Sequence, residues 1–471
     1  MASANIAFDT IPASIRKPGK YIEFNTRLAV RTLPANAQRL LILAQSITTG
    51  LPLAPVQVYS DEQAAALCGY GSQAHRMIRA AIKAYAYLDV SLLPVPDDKA
   101  GIAASGSLEL SGTASTQGVL TLTVAGESVA LALSSGDTAA QAAAALVTAL
   151  KNTVALPISA IATEGKVTLT AKNKGTLGNG ISLAFTCTAA EMSCTLTAMS
   201  GGQTDPDIED ALAAVFAQEY TIICIPWAEQ AQLTALREHL NAIGHALEQR
   251  GAVGVTASTA TLASLTTLAG QINHGRITMA ALPSSDSHAP EIAAAYAALI
   301  ASEEDPARPL NTLPLTGILV PPVAKRFSRN EQEVALKNGV TPLEVGSGEV
   351  VQIVRAISTY TKNAEGVADI SLLDITTMRT LDYVRKSVRE RISLRFPREK
   401  LSARTPAKVR SEILDVLRKL EELEIVEEVA ANADGVICER DLQDPNRLNA
   451  KIPTDVVNGL HVFAGRIDLL L

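Results

Sequence analysis

Between Ala211 and Ala301, short apolar runs alternate with longer amphipathic stretches, and that alternation leaves few architectures open. It reads as strand Tyr220 to Ile225, helix Ala228 to Gln249, strand Ala252 to Thr256, helix Thr259 to Ile272, strand Arg276 to Leu282 and helix Pro290 to Ala301. Strands separated by helices return by right-handed crossovers, so they build a largely parallel sheet. The pattern also occurs earlier: Arg39 to Gln45 (RLLILAQ) and Val56 to Tyr59 read as strands, Asp61 to Leu67 and Ser72 to Tyr87 as helices, and Leu88 to Leu93 as a strand. Residues 28–96 and 204–305 are therefore two parts of one α/β domain.

What separates the parts differs in composition. From Asp98 to Gln203 there is no arginine and one aromatic residue, Phe185. Period-two runs at Val119 to Val124, Val129 to Leu133 and Lys166 to Thr170, bounded by Gly118, Gly126, Gly136 and Gly165, predict strands in hairpins. The alanine-rich Thr138 to Leu150 predicts one helix, so residues 97–203 are expected to form a β-rich, sandwich-like insertion. Residues 306–459 are expected to be a C-terminal domain. There Asp374 suits the N-cap of a helix with apolar Met378, Leu381, Val384, Val388 and Ile392, and Thr405 with Pro406 opens another to about Val426. The fold class is α/β, α+β overall: a split α/β domain, an inserted β-rich domain and a C-terminal α+β domain with extended terminal arms.

Residues 1–27 carry Ile6, Phe8, Ile11, Ile15, Tyr21, Ile22 and Phe24, split by Pro12 and Pro18, too broken for a core of their own. They read as a linking arm. Residues 460–471 read as an apolar terminal strand with Ile467, Leu469 and Leu471 on one face. Two sticky ends without local cores are suited to β-augmentation, in which backbone hydrogen bonds supply continuity and alternate side chains supply register. The candidate intersubunit contacts are Tyr21, Ile22 and Phe24 in the first arm and Val462, Phe463, Ile467, Leu469 and Leu471 in the second.

A formal net charge of −7 gives no global basic field for nucleic acid or anionic membrane, and one tryptophan, Trp227, leaves little for base stacking. Met1 to Asp9 lacks the charged flank and apolar stretch of a secretory signal, which sets a cytoplasmic start as the expectation. The uncharged runs Leu40 to Ser60 and Gly251 to Gly275 are broken by Gly and Pro or diluted by polar residues, so neither reads as a membrane span. Cys68, Cys187, Cys194, Cys224 and Cys438 are scattered, without zinc-type spacing, and are expected as thiols, although Cys187 and Cys194 could meet across a hairpin.

Parallel α/β domains often bind nucleotides, yet no phosphate-cradling Gly-Lys-Ser/Thr loop occurs and strand Tyr220 to Ile225 runs into Pro226 and Trp227. Gly175 to Gly180 is expected as a turn, Gly346 to Gly348 as a hairpin tip, and Gly69 to Ser72 as a helix C-cap followed by an N-cap. His239 and His245 lie about 240° apart around a helix and do not share the face that a zinc site needs. No catalytic, cofactor or metal residue is assigned. One charged feature stands out: Arg379 to Arg410 holds eleven Lys/Arg against Asp382, Glu390 and Glu399. It reads either as a solvated helix face balanced by Glu421 to Glu428 or as a contact for an acidic partner through Arg385, Lys386, Arg389, Arg391 and Arg395.

Several segments together resemble the tail sheath proteins of Mu-like phages. They are Asn5 to Phe8 with Ile11-Pro12 and Pro18 to Phe24, Asp305 to Leu315, Arg355 to Thr361, Tyr383 to Arg385 leading to Phe396 to Leu401, and Ile452 to Asn458, in the family's order. The resemblance implies a structural subunit, not an enzyme, that polymerises with itself as hexameric rings stacked around a tail tube and shortens on triggering without a cofactor. It implies tube, baseplate and tail-terminator proteins as partners, assembly in the host cytoplasm and residence in the virion tail. It makes the termini the links between subunits, and with a tube as partner the basic cluster becomes a candidate for the tube-facing contact. Rival readings from the residues are an α/β nucleotide-binding enzyme decorated with a β module, and an adhesin or receptor-binding protein using the Thr-rich residues 98–203.

Overall fold

A computed structural model describes residues 14–22 and 33–470, which fall into two compact units: residues 36–383 with 456–470, and a smaller one around Val384–Asp455.

The larger unit starts from Arg39–Ser46 (β1), apolar at consecutive positions and buried on both faces, as a central strand of a helix-covered sheet must be. Leu40 and Ile42 enter one core and Leu41 and Leu43 the other, the period of two expected of a strand. Val56–Gln57 (β2), helices Asp61–Cys68 (α1) and Gln73–Ala84 (α2), and Asp89–Pro96 (β3) follow. Ser60 and Ser72 cap the two helices by accepting from the backbone N–H of Gln63 and His75. Gly69, at φ +92, ends α1 where a Cβ would sit 2.3 Å from Ile47 Cγ1.

The insertion leaves the sheet after β3. Its strands are Ser105–Ser111 (β4), Gly118–Val124 (β5), Glu127–Leu133 (β6), Ile158–Thr163 (β7), Lys166–Ala171 (β8), Leu183–Cys187 (β9) and Ser193–Ser200 (β10), with helix Ala139–Asn152 (α3) between β6 and β7. They make two antiparallel sheets, β10-β4-β8-β7 and β6-β5-β9, around one apolar core to which α3 adds Leu146, Val147 and Leu150. The module is fastened to the α/β layer by buried polar groups. Arg76 of α2, with a side chain 2% exposed, pairs with Glu127 at 3.1 Å and with Glu291, and donates to Ala155 O. Gln45 donates to Asp97 at 2.8 Å and to Lys174 O at 2.9 Å, and the His288 ring meets Leu177 O at 2.8 Å.

The chain then returns through Glu209–Ala214 (α4), Ile222–Cys224 (β11), Gln230–Gly244 (α5), Val253–Ser258 (β12), Leu262–Ile272 (α6), Ile277–Ala281 (β13), Ala289–Ser302 (α7), Arg329–Lys337 (α8), Thr341–Gly346 (β14) and Val350–Ile353 (β15). The sheet order is β15-β14-β13-β12-β11-β1-β3-β2, parallel except at its two edges. Helix α7 is alanine-rich and buried nearly all round, and its Tyr296 hydroxyl meets Thr278 Oγ1 at 2.8 Å inside the core. Beyond residue 305, β14 and β15 extend the same sheet, and the division between the two units falls at 383/384, within helix Ile375–Arg395 (α9). A change in apolar patterning does not mark it, because a helix passes through without interruption.

The smaller unit packs helix Thr405–Glu422 (α10), with proline in its first turn and buried Val409, Ile413, Val416, Leu417 and Leu420, near the hairpin Ile437–Arg440 (β16) and Leu448–Lys451 (β17). Arg410 of α10 donates to Val436 O and Ala433 O, both at 2.7 Å. The terminal strand expected over residues 460–471 is not formed among the described residues: residues 457–470 have no regular secondary structure, and no described strand pairs with them. Leu471 lies outside the described residues.

Candidate assembly surfaces

The C-terminal tail presents apolar side chains to solvent. Leu460 is 80% exposed, Phe463 87% and Ile467 99%, and Val462, Leu469 and Leu470 are nearly as open. A folded chain gains by burying such groups, and exposed apolar runs of this kind are typical of surfaces that bind partners. One tail residue is different: the His461 side chain is only 14% exposed, held against Asn311 and Asp374.

At the other end, Tyr21 and Ile22 are likewise exposed, and the Tyr21 hydroxyl donates to Lys17 O at 3.1 Å, a local bond that fixes the turn but buries nothing. Phe24 lies outside the described residues.

The basic cluster divides. Arg391 is no surface contact: its side chain is 4% exposed and its guanidinium pairs with Asp415 at 2.6 Å and Glu412 at 3.2 Å on α10. Burial pushes the Asp415 carboxyl up, but the hydrogen bonds and charges of Arg391 and Lys419 outweigh it and hold the group below its ordinary value. Arg395 is largely covered and lies 3.5 Å from Glu412. The sequence suggested Glu421 to Glu428 as balancing charge; the balance comes from Glu412 and Asp415 instead. Arg385, Lys386 and Arg389 are half-buried, Lys386 donating to Ala35 O at 3.0 Å. The open positive charge lies further on, at Arg398, Lys400 and Arg404 between the two helices. Their place in a proline-bearing stretch outside both helices was the sequence signal for exposure.

Residues 201–359 match the family model of the phage tail sheath protein central domain, and residues 367–469 that of the phage tail sheath C-terminal domain. The Mu-like prophage FluMu tail sheath protein of Haemophilus influenzae is 32% identical, over 99% of this chain and 100% of that protein. The chain belongs to the phage tail sheath protein family. Solved structures share the fold: sheath tail proteins from Desulfitobacterium hafniense (15% identity, 94% of this chain and 97% of that one, TM-score 0.51) and Listeria innocua (13%, 92% and 94%, TM-score 0.52). A sheath of an extracellular contractile injection system in its contracted state also superposes (11%, 97% and 98%, TM-score 0.51).

In this tail sheath protein the glycine runs serve the backbone. Thr176–Gly180 is a 3-10 turn whose first N–H donates to Asp205 at 2.8 Å, so a carboxylate of the same chain already fills the place an anion would take. Gly346 ends β14 at the tip of its hairpin with β15. His239 stacks edge-on against Phe216 at 6.3 Å, while His245 caps the end of α5. No group of three or more metal-binding side chains occurs among the described residues. All five cysteines are unbridged, and burial, with Cys187 as neighbour, pushes the Cys194 thiol up to about 12.

Proposed function

We propose that this sheath subunit polymerises as hexameric rings stacked around a tail tube, and that triggering shortens the stack and drives the tube through the target envelope. The observation that carries the reading is the exposed apolar tail, whose side chains find no cover in their own chain. Its backbone joins no strand among the described residues, so an edge strand of a neighbouring copy can take it as an added strand. Tyr21, Ile22 and Phe24 serve as the complementary link at the other end, and Leu471 completes the C-terminal one. Such links persist while rigid bodies rotate past one another, which supplies a two-packing switch that needs neither cofactor nor catalysis. Tube, baseplate and terminator proteins are the remaining partners, met during assembly in the host cytoplasm.

The tube-facing contact belongs to the part of the basic cluster that is open or half-open: Arg398, Lys400 and Arg404, with Arg385, Lys386 and Arg389 beside them in sequence. The test is negative-stain electron microscopy of the purified chain at high concentration, beside a variant lacking residues 462–471. Striated tubes from the intact chain and soluble, folded subunits from the truncation are expected. Normal sheaths from the truncated chain would overturn the linking role. Reversing Arg398, Lys400 and Arg404 to glutamate is expected to leave self-polymerisation intact while abolishing attachment to purified tubes.

A further inference from the structure

The exposed tail emerges from a built polar clamp. His461 Nδ1 accepts from Asn311 Nδ2 at 2.9 Å, which leaves Nε2–H to face Asp374 Oδ1 at 3.5 Å. Asp374 is itself held by Arg355 through two parallel bonds, 2.8 and 2.7 Å long, and immediately precedes α9. The chain also passes close to these side chains: a Cβ on Gly459 would lie 2.6 Å from Pro309 Cγ and 2.8 Å from His461 Nε2, so any larger residue there would push the ring or the proline aside. On either side the tail is open, with Leu460 80% and Val462 78% exposed, against 14% for the His461 side chain.

We infer that His461 is a positioning residue: clamped by Asn311 and Asp374, it fixes the point and direction at which the C-terminal link leaves its own subunit. This rests on the linking role proposed above. A strand that starts from a fixed root has already lost part of the freedom it must give up on docking, so its neighbour binds it more tightly than it binds a loose tether. The root also passes tension along the link into the sheet-bearing unit through the Asp374–Arg355 pair, instead of letting it peel the preceding residues away.

The experiment compares critical concentrations for polymerisation, by sedimentation and microscopy, for the intact chain, the variant lacking 462–471, His461→Ala, Asn311→Ala and the double variant. The truncation is expected not to polymerise. Each single substitution is expected to raise the critical concentration about tenfold, the cost of ordering one or two freed residues. The double variant is expected to behave like either single one, since both break one contact. If the truncation assembles normally, the linking role and this inference both fall. If the truncation fails while His461→Ala assembles like the intact chain, the linking role stands and the clamp is refuted. Should His461→Ala lower the melting temperature, His461→Asn decides, because its carboxamide oxygen stands where Nδ1 does and can take the Asn311 N–H. Restored assembly supports the clamp, and lost assembly with an unchanged melting temperature refutes it.

Discussion

Arg76 shows how much one side chain can decide. It is buried between Glu127 of the insertion and Glu291 of α7, with Arg79 also on Glu127. Burial pushes the Glu127 carboxyl up, and the charges and hydrogen bonds of Arg76 and Arg79 outweigh it, so the group stays below its ordinary value. Removing the guanidinium would strand the Glu291 carboxylate and leave Glu127 to Arg79 alone, and an uncompensated buried charge costs more than the pair contributes when intact. Arg76→Ala is therefore expected to destabilise the larger unit by about 3–5 kcal/mol. Chemical denaturation followed at Trp227, the one tryptophan and fully buried in that unit, checks it. Arg76→Met combined with Glu127→Gln and Glu291→Gln should recover much of the loss, because the charges leave together. None of this was legible beforehand, since Arg76 looks like any basic residue of an amphipathic helix and its partners lie 51 and 215 residues away.

At the scale of elements, the tail invites a parity test. If residues 462–470 dock as a strand, alternate side chains face the acceptor and the others face solvent. Ile467→Ser with Leu469→Ser is expected to abolish sheath formation, whereas Arg466→Ser with Asp468→Ser should leave it nearly intact. Both variants should melt with the parent, because every one of these side chains is already exposed in the single chain. Equal effects from the two pairs in sedimentation assays would show that the tail docks without strand register. The sheet strands were readable because a buried strand is an apolar run whatever surrounds it, as Arg39–Ser46 shows. The tail was readable as apolar and alternating, but a strand exists only with a partner to bond, and the described residues offer none for it. Likewise Arg391 carried the sequence signature of a surface cation; its burial depends on Glu412 and Asp415, contributed by the next helix.

For the whole molecule, the histidines set a pH dependence. Burial, aided by Arg250, lowers His239 to about 4; burial, aided by Arg276 and Arg237, does the same for His274. His75, His288 and His461 shift in the same direction, burial first among the causes. In the unfolded chain a histidine takes its proton near pH 6.5. Between about 6.5 and 4 the unfolded state therefore binds more protons than the folded one, and stability rises with pH across that window. Read downward, the stabilisation is full above the unfolded value and is lost as pH falls toward 4. The lowered carboxylates Asp415, Glu331 and Asp441 weaken the fold only at still lower pH, starting near their unfolded values of about 4, whereas Asp97 and Glu229, raised by burial, oppose the histidines above those values. The expected outcome is a urea midpoint, read at Trp227, that drops between pH 7 and pH 5 with an unchanged slope. Replacing His239 and His274 with glutamine should flatten that dependence, because two of the groups that take up a proton on unfolding are gone. A profile equally steep in the double variant would place the pH sensitivity in the remaining histidines, with His461 at the root of the link the first to examine.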